Sequence, residues 1–394
     1  MLKNWKHFDF TLMITPILLA GFGVVMVYSA SMVLAVVEGS NSNFYLNRQL
    51  IFFIVALMGF VVTSFLPYQT YQRLMKIIII SCIVLLVAVL FFGDTVNNAR
   101  RWIRFGPFSL QVAEVVKLGL IIYLSAIYSK KQAYLDQFSR GVLPPLIITA
   151  IVLGLVMGQP DIGTASIIFL MACSVIFASG IKWRHLSILI FTGLLLLAFA
   201  IPNMVTEERL SRFTGAYQPF NSPGLDGYQL IQSYVAIGGG GLTGEGLGQS
   251  IQKLGFLVEG HTDFIMAIIA EELGFVGVAI VLGLLAAIVF RGLYISRKCQ
   301  DSFGSLLALG ISSMIGIQTF INLGAISGVL PITGAPLPFI SYGGSSLLLM
   351  MIAMGILNNI ALQVNKKENE REELVPKSGL FSKKSINTYR GGKA

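Results

Sequence analysis

The sequence predicts an all-α integral membrane protein with about ten transmembrane helices, and three observations predict it. Of the 394 residues 55% are hydrophobic and 12% charged, with a mean hydropathy of +0.77, too apolar for a water-soluble fold of this length. Apolar runs of roughly 20 residues, the length that crosses a hydrocarbon core about 30 Å thick, recur along the chain. They are continuous rather than alternating, and lipid admits only helices or closed barrels, so helices are selected.

In order, the runs lie near 11–32, 49–67, 75–93, 108–128, 142–158, 162–180, 185–202, 264–290, 304–328 and 341–363. The first follows MLKNWKHFDF without a small-residue cleavage signature and reads as a retained helix. Lys3, Lys6, Arg73, Lys76, Lys130, Lys131, Arg140, Lys182, Arg184, Arg291, Arg297 and Lys298 all fall in loops of one side. Cations mark the cytoplasmic face, so both termini are cytoplasmic and a long external loop, 203–262, joins the seventh and eighth helices. The net charge of +9 is then a topology signal and gives no ground for nucleic-acid binding. The membrane domain occupies 1–364; the tail 365–394, polar and mixed in charge, is expected to be disordered against anionic lipid. Cys82, Cys173 and Cys299 are far apart, lack metal-ligand spacing and read as free thiols.

The external segments hold the chemistry. In GDTVNNARRWIRFGPFSLQVAEVVKL, Arg100, Arg101 and Arg104 break the cation rule on the outer side. Arginine's planar fork suits phosphate oxygens and Trp102 offers an apolar face at head-group depth; interfacial anchoring explains the cluster equally well. Glu114 and Lys117 share a helix face in the run that follows, either as an internal staple or as a lysine aimed at a phosphate or at Asp263. In MGQPDIGT, Asp161 and Thr164 can cap the next helix or line a cavity. Glu207, Glu208, Arg209 and Arg212 of TEERLSRF are spaced for a short amphipathic helix on the membrane. Tyr228, Gln229, Gln232 and Ser233 recur at helical spacing as neutral partners for sugar hydroxyls, and the glycines from Gly238 to Gly248 read as a mobile flap.

The external loop ends in IQKLGFLVEGHTDFIMAIIAEELGF, 251–275, where Asp263 stands at the mouth of the eighth helix with His261 and Thr262. Thr262 is a candidate cap. A first-turn acid favoured by the helix dipole accounts for Asp263, but a carboxylate where a loop re-enters the bilayer is costly unless something binds or reacts there. Glu271 and Glu272 follow at membrane depth, suggesting polar contacts within the bundle. The last external turn, GAISGVLPITGAPLPFISYGGSS, is stiff with proline and brings Ser345 and Ser346 to the start of the tenth helix.

The ordered set ARRWI with QVAEVVK, QPDIGT, GYQLIQS, AIGGGGLTGEGLGQSIQK, EGHTDFIMAIIAEELGF and NLGAISGVLPITGAPLPFISYGGSS resembles the SEDS family of shape, elongation, division and sporulation proteins, over nearly everything from Phe8 to Leu362. The resemblance implies a peptidoglycan glycosyltransferase that polymerises lipid II into glycan strands on the outer membrane face. The family's essential aspartate falls on Asp263, its external tryptophan on Trp102 and its helix lysine on Lys117, while Lys253 joins the expected substrate contacts. Val112 stands where the family commonly has proline, which bears on a helix start. A single carboxylate base implies inversion at the anomeric carbon. A divalent cation, Mg²⁺ or Mn²⁺, suits the departing pyrophosphate. A class B penicillin-binding protein is the expected transpeptidase partner, among other divisome or elongasome membrane proteins. The PFISYGGSS ending and the tail favour a division-type member, at the septum, over an elongation-type one. A lipid II flippase and a docking scaffold are the readings of other classes; ionisable residues gathered toward one face and the lack of repeated halves weigh against transport.

Overall fold

The computed structural model describes residues 7–374 apart from 97–98, 107, 186, 188–213 and 222–224. Among them, eight helices are long and apolar enough to cross a membrane, and Ile162–Ala178 is a shorter apolar one. The run expected near 185–202, beyond its first residues, and the segment 206–213 lie outside the described residues.

The chain opens with α1 (Phe10–Val37), α2 (Phe44–Phe65) and α3 (Gln69–Phe92). Asp9 caps α1 through the Leu12 amide and pairs with Arg291 at 2.6 Å. A small antiparallel sheet follows, β1 (Asp94–Val96), β2 (Ala99–Phe105) and β3 (Phe108–Gln111), and leads directly into α4 (Val112–Lys130). The apolar run expected from 108 thus spends four residues as strand. Val112 is the first helical residue, where proline is tolerated because the amide has no intrahelical partner. The departure from the family pattern therefore touches only the helix start.

Next come α5 (Leu143–Met157), entered through prolines at its first turn, and α6 (Ile162–Ala178), then α7 (Leu225–Gly239). The last three are α8 (Ile265–Lys298), α9 (Ser302–Ile326) and α10 (Gly344–Leu374).

Two apolar clusters form the core, one where α1, α2, α8, α9 and α10 meet and one among α3, α4, α5 and α6, with α9 touching both. Lipid gives no hydrophobic drive between helices, so small residues and polar side chains hold them. Between α2 and α10, Gly355 admits the Thr63 hydroxyl, and Asn359 donates to Ser64 O at 2.9 Å while accepting from Tyr68 N at 3.0 Å.

α10 continues ten residues into the tail expected to be disordered. Its last turns are tied down: Asn365 donates to His7 O at 3.0 Å, Lys298 pairs with Glu368 at 2.7 Å and Arg371 donates to Gln300 at 2.8 Å. These contacts place residue 7 and the end of α10 on the same side, as the cation pattern requires.

α8 is broken. Gly274 adopts φ 64° and ψ −164°, which interrupts the ladder and frees backbone groups on both sides. The glycine-rich segment satisfies them: Glu245 N and Gly246 N donate to Glu271 O and Glu272 O at 2.9 and 3.0 Å, and Phe275 N and Val276 N donate to Gly241 O and Leu242 O at 3.0 and 3.2 Å. Gly240 and Gly244 lie so close to the backbone of Ala270 and Glu272 that a Cβ has no room. The expected mobile flap is instead a docked plug, because glycine here supplies close approach rather than freedom.

Candidate active site

Strand pairing sorts the arginines. In β2, Trp102 faces Gln111 of β3 across the ladder, and successive side chains alternate between faces. Arg101 therefore points opposite to Arg100 and Arg104. Arg100 donates to Leu90 O at 3.1 Å, capping the carboxyl end of α3, and exposed Arg104 pairs with Asp94 at 3.0 Å. The expected three-arginine cluster is thus divided, and Arg100 is a helix-end contact rather than part of the site. Arg101 turns to the bundle, its Nε 3.3 Å from Asp161 Oδ2. Asp161 is 1% exposed and also caps α6, accepting from the Thr164 amide and hydroxyl at 3.1 and 2.8 Å. Capping and cation binding are both its work.

Asp263 lies just before α8, partly buried. Its Oδ2 stands 3.4 Å from where a Cβ on Gly334 would sit, so the acid faces the 331–340 loop at a glycine whose φ of +70° disfavours other residues. Burial pushes its carboxyl up to about 7, helped by the nearby Glu259 charge and opposed by Arg101. Asp263 and Arg101 therefore sit in one electrostatic neighbourhood at the outer rim.

Lys117 and Glu114 pair at 2.7 Å inside α4, both almost wholly buried. The lysine also donates to Gln318 Oε1 at 2.6 Å. One turn along α9, about 6 Å, Asn322 donates to Asp263 O at 2.7 Å and to Ala335 O at 2.8 Å, while Gln318 donates to Pro336 O at 2.8 Å. Two side-chain amides thus stitch the lysine, the proline loop and the acid's backbone together. Sequence reasoning missed both, although paired amides four residues apart in an apolar helix are a detectable signal.

The remaining predicted residues divide. His261 is nearly buried against the rings of Tyr45 and Tyr342, 5.0 and 5.6 Å between centroids, and burial pushes its imidazole below the usual range. Thr262 does not cap α8; its hydroxyl donates to Glu259, a residue not singled out from the sequence. Ser345 accepts from Gln111 N at 3.3 Å, joining the sheet to α10, with Ser346 nearly buried beside it. Tyr228, Gln229 and Gln232 remain accessible on α7, whereas buried Ser233 donates to Ile326 O at 3.0 Å.

Lys253 does not join the site. It is 4% exposed and pairs with Glu272 at 2.9 Å, with Ser29 as a further partner at 3.2 Å. Glu272 is nine residues along the chain from Asp263, about 13 Å at the helical rise. Glu271 accepts from Ser250 and from the Ile251 amide, the latter at 2.9 Å. These acids hold the segment before Asp263 to the broken helix.

A family profile described as cell cycle protein, FtsW/RodA/SpoVE, matches residues 10–366. A relative from Bacillus subtilis (strain 168), described as a probable peptidoglycan glycosyltransferase FtsW, is 48% identical over 387 residues, covering 95% of this chain and 96% of its own. Stage V sporulation protein E of the same organism is 40% identical over 356 residues, covering 90% and 96%. Among solved structures, a chain of a peptidoglycan synthase complex that coordinates polymerization and crosslinking superposes with a TM-score of 0.74 at 27% identity, covering 91% of this chain and 99% of its own. The rod shape determining protein RodA of Thermus thermophilus gives 0.67 at 27% identity, covering 91% and 98%.

Proposed function

The chain belongs to the FtsW/RodA/SpoVE family, and we propose that Asp263 is the general base of its peptidoglycan glycosyltransferase reaction, with lipid II as substrate. The activity itself is that of the relatives: the chain is a multi-pass membrane glycosyltransferase of peptidoglycan synthesis. One observation carries the catalytic reading. Asp263 stands at the outer rim within the field of Arg101, and its backbone is joined through Asn322 and Gln318 to Lys117.

The 4-hydroxyl of the acceptor sugar gives its proton to Asp263 as its oxygen bonds to the anomeric carbon of the donor strand. The bond from that carbon to the lipid diphosphate breaks, and its electron pair leaves with the diphosphate. A single displacement inverts the carbon, as one base requires. A carboxyl held near 7 takes up a proton more readily than an ordinary carboxylate, while remaining half ionised at neutrality. Arg101 and the remaining donor of Lys117 face the leaving group's negative charge.

That charge is not balanced by the protein alone. Arg101 is matched by Asp161 and Lys117 by Glu114, while Asp263 and Glu259 add negative charge. Among the described residues no three His, Cys, Asp or Glu side chains gather as a metal cage. A divalent cation would fit here as a companion of the diphosphate, with Glu259 as its protein ligand, leaving Asp263 free as the base, and would neutralise phosphate charge.

We place the reaction on the outer face of the bacterial cytoplasmic membrane at the division septum, with a class B penicillin-binding protein crosslinking the product. The relatives described as FtsW support division over elongation. The test is polymer formation from lipid II by purified protein with and without the partner, comparing Asp263→Ala. Undiminished product in that variant sinks the assignment of the base. Movement of lipid II across vesicles without polymer favours transport instead.

A further inference from the structure

Between α7 and α8 the chain is built inside out. Lys253 is 4% exposed and Ser250 and Gln252 are buried with it, whereas Ile251 and Leu254 are 59% and 54% exposed. Leu242 is 74% exposed, and Leu247, Phe256 and Val258 are also exposed. A segment facing water would do the reverse, hiding the leucines and leaving the lysine out. Here Lys253 is satisfied inside by Glu272 and Ser250 by Glu271, as a buried charge and hydroxyl require where the surroundings offer no hydrogen bonds.

The register against α8 is independent of that pattern. Phe275 N and Val276 N donate to Gly241 O and Leu242 O, which sets Leu242 level with Phe275 and Val276. Both are exposed and begin the apolar face of the membrane span, which continues at Ile280. The lipid-facing surface of α8 therefore runs without a step onto the segment.

We propose that residues 242–258 are a re-entrant wall embedded in the outer leaflet, whose partner is the hydrocarbon of the bilayer itself. Thr243, Glu245 and Gln249 of the same segment are exposed as well, and in this placement they would lie at the head groups. Val258 is five residues before Asp263, so under the function proposed above the wall keeps a lipid chain in hydrocarbon while its head reaches the acid. The wall does not depend on that function, and its test involves no turnover.

The test uses single nitroxide-labelled cysteines in the full chain with Cys82, Cys173 and Cys299 changed to alanine, in vesicles of phosphatidylethanolamine and phosphatidylglycerol. Collision with oxygen reports hydrocarbon and collision with a nickel chelate reports water. Leu242→Cys, Ile251→Cys and Leu254→Cys are expected within twofold of the oxygen-to-nickel ratio at Ile280→Cys, and at least tenfold above that at Ser109→Cys, an exposed position on β3. Glu245→Cys is expected between the two. Ratios like that of Ser109→Cys overturn the proposal, and low collision with both reagents overturns it too, by showing that protein covers the segment. Should the alanine background not fold, Leu254→Trp in the otherwise unchanged chain adds fluorescence that brominated lipid quenches and aqueous acrylamide does not; the opposite pattern overturns the proposal.

Discussion

Ionisation of Asp263 is expected to set the rate across neutral pH. With the carboxyl at about 7, about 9% of the base is ionised at pH 6 and about 91% at pH 8, so the rate should rise roughly tenfold between them. A carboxyl at its ordinary value of 3.8 would be fully ionised throughout and give a flat profile. The causes of the shift fix the direction of two variants. Glu259→Gln removes a charge that raises the pKa and moves the rising limb to lower pH; Arg101→Gln removes one that lowers it and moves the limb to higher pH. Stability runs the other way. The folded pKa lies above the unfolded one, so this contribution is fully present below about 3.8 and is lost as pH rises through about 7. Asp263→Asn should therefore be more stable than the parent at pH 8, by roughly 2–4 kcal/mol after allowance for partial exposure. Initial rates of polymer formation at saturating lipid II, from pH 5.5 to 8.5, check the first part and detergent melting curves the second. A parent profile flat between pH 6 and 8, or superimposable profiles for the parent and Glu259→Gln, would refute the reasoning.

Lys253→Met strands Glu272 as a buried acid and should cost about 3–5 kcal/mol, read as a lowered melting temperature, with the KM of the folded fraction unchanged. Adding Glu272→Met should recover most of that loss, and a raised KM at unchanged stability would return Lys253 to the substrate site. Gly244→Ala has both a φ of +78° and a backbone contact against it and should cost at least about 2 kcal/mol. Gly238→Ala meets nothing within 4 Å and should be neutral or slightly stabilising in the same melting assay. Chelation by EDTA should suppress polymer formation and Mg²⁺ or Mn²⁺ restore it; equal rates in EDTA would place the whole burden of charge on Arg101 and Lys117.

The spans were readable because lipid permits few structures and sets their length. The Glu114 and Lys117 pair was readable because three residues along a helix fix a shared face. Neither rule reaches the strands: ARRWIRF reads as a basic loop until pairing with FSLQ makes its side chains alternate, and only then is Arg101 separated from Arg100 and Arg104. The partners of Lys253 lie 19 and 224 residues away, beyond any local pattern, so a lysine ten residues before Asp263 reads as a substrate contact from sequence alone. The glycine run failed for another reason. Composition cannot distinguish glycine used for motion from glycine used for contact, and the broken backbone of α8 decides between them. The end of α10 lacks an apolar stripe, and His7, Gln300 and Lys298 hold it through polar bonds instead.

α10 is a continuous rod of 31 residues, about 46 Å long at the helical rise. Near its outer end Ser345 is bonded to the backbone of Gln111, the strand residue opposite Trp102; its inner end is lashed to His7 and Gln300. Because the shaft packs against α2 from Gly344, beside Phe52, to Asn359, bonded to Ser64, a tilt imposed at the inner end would be carried to the sheet that aims Arg101, coupling the two faces of the membrane mechanically.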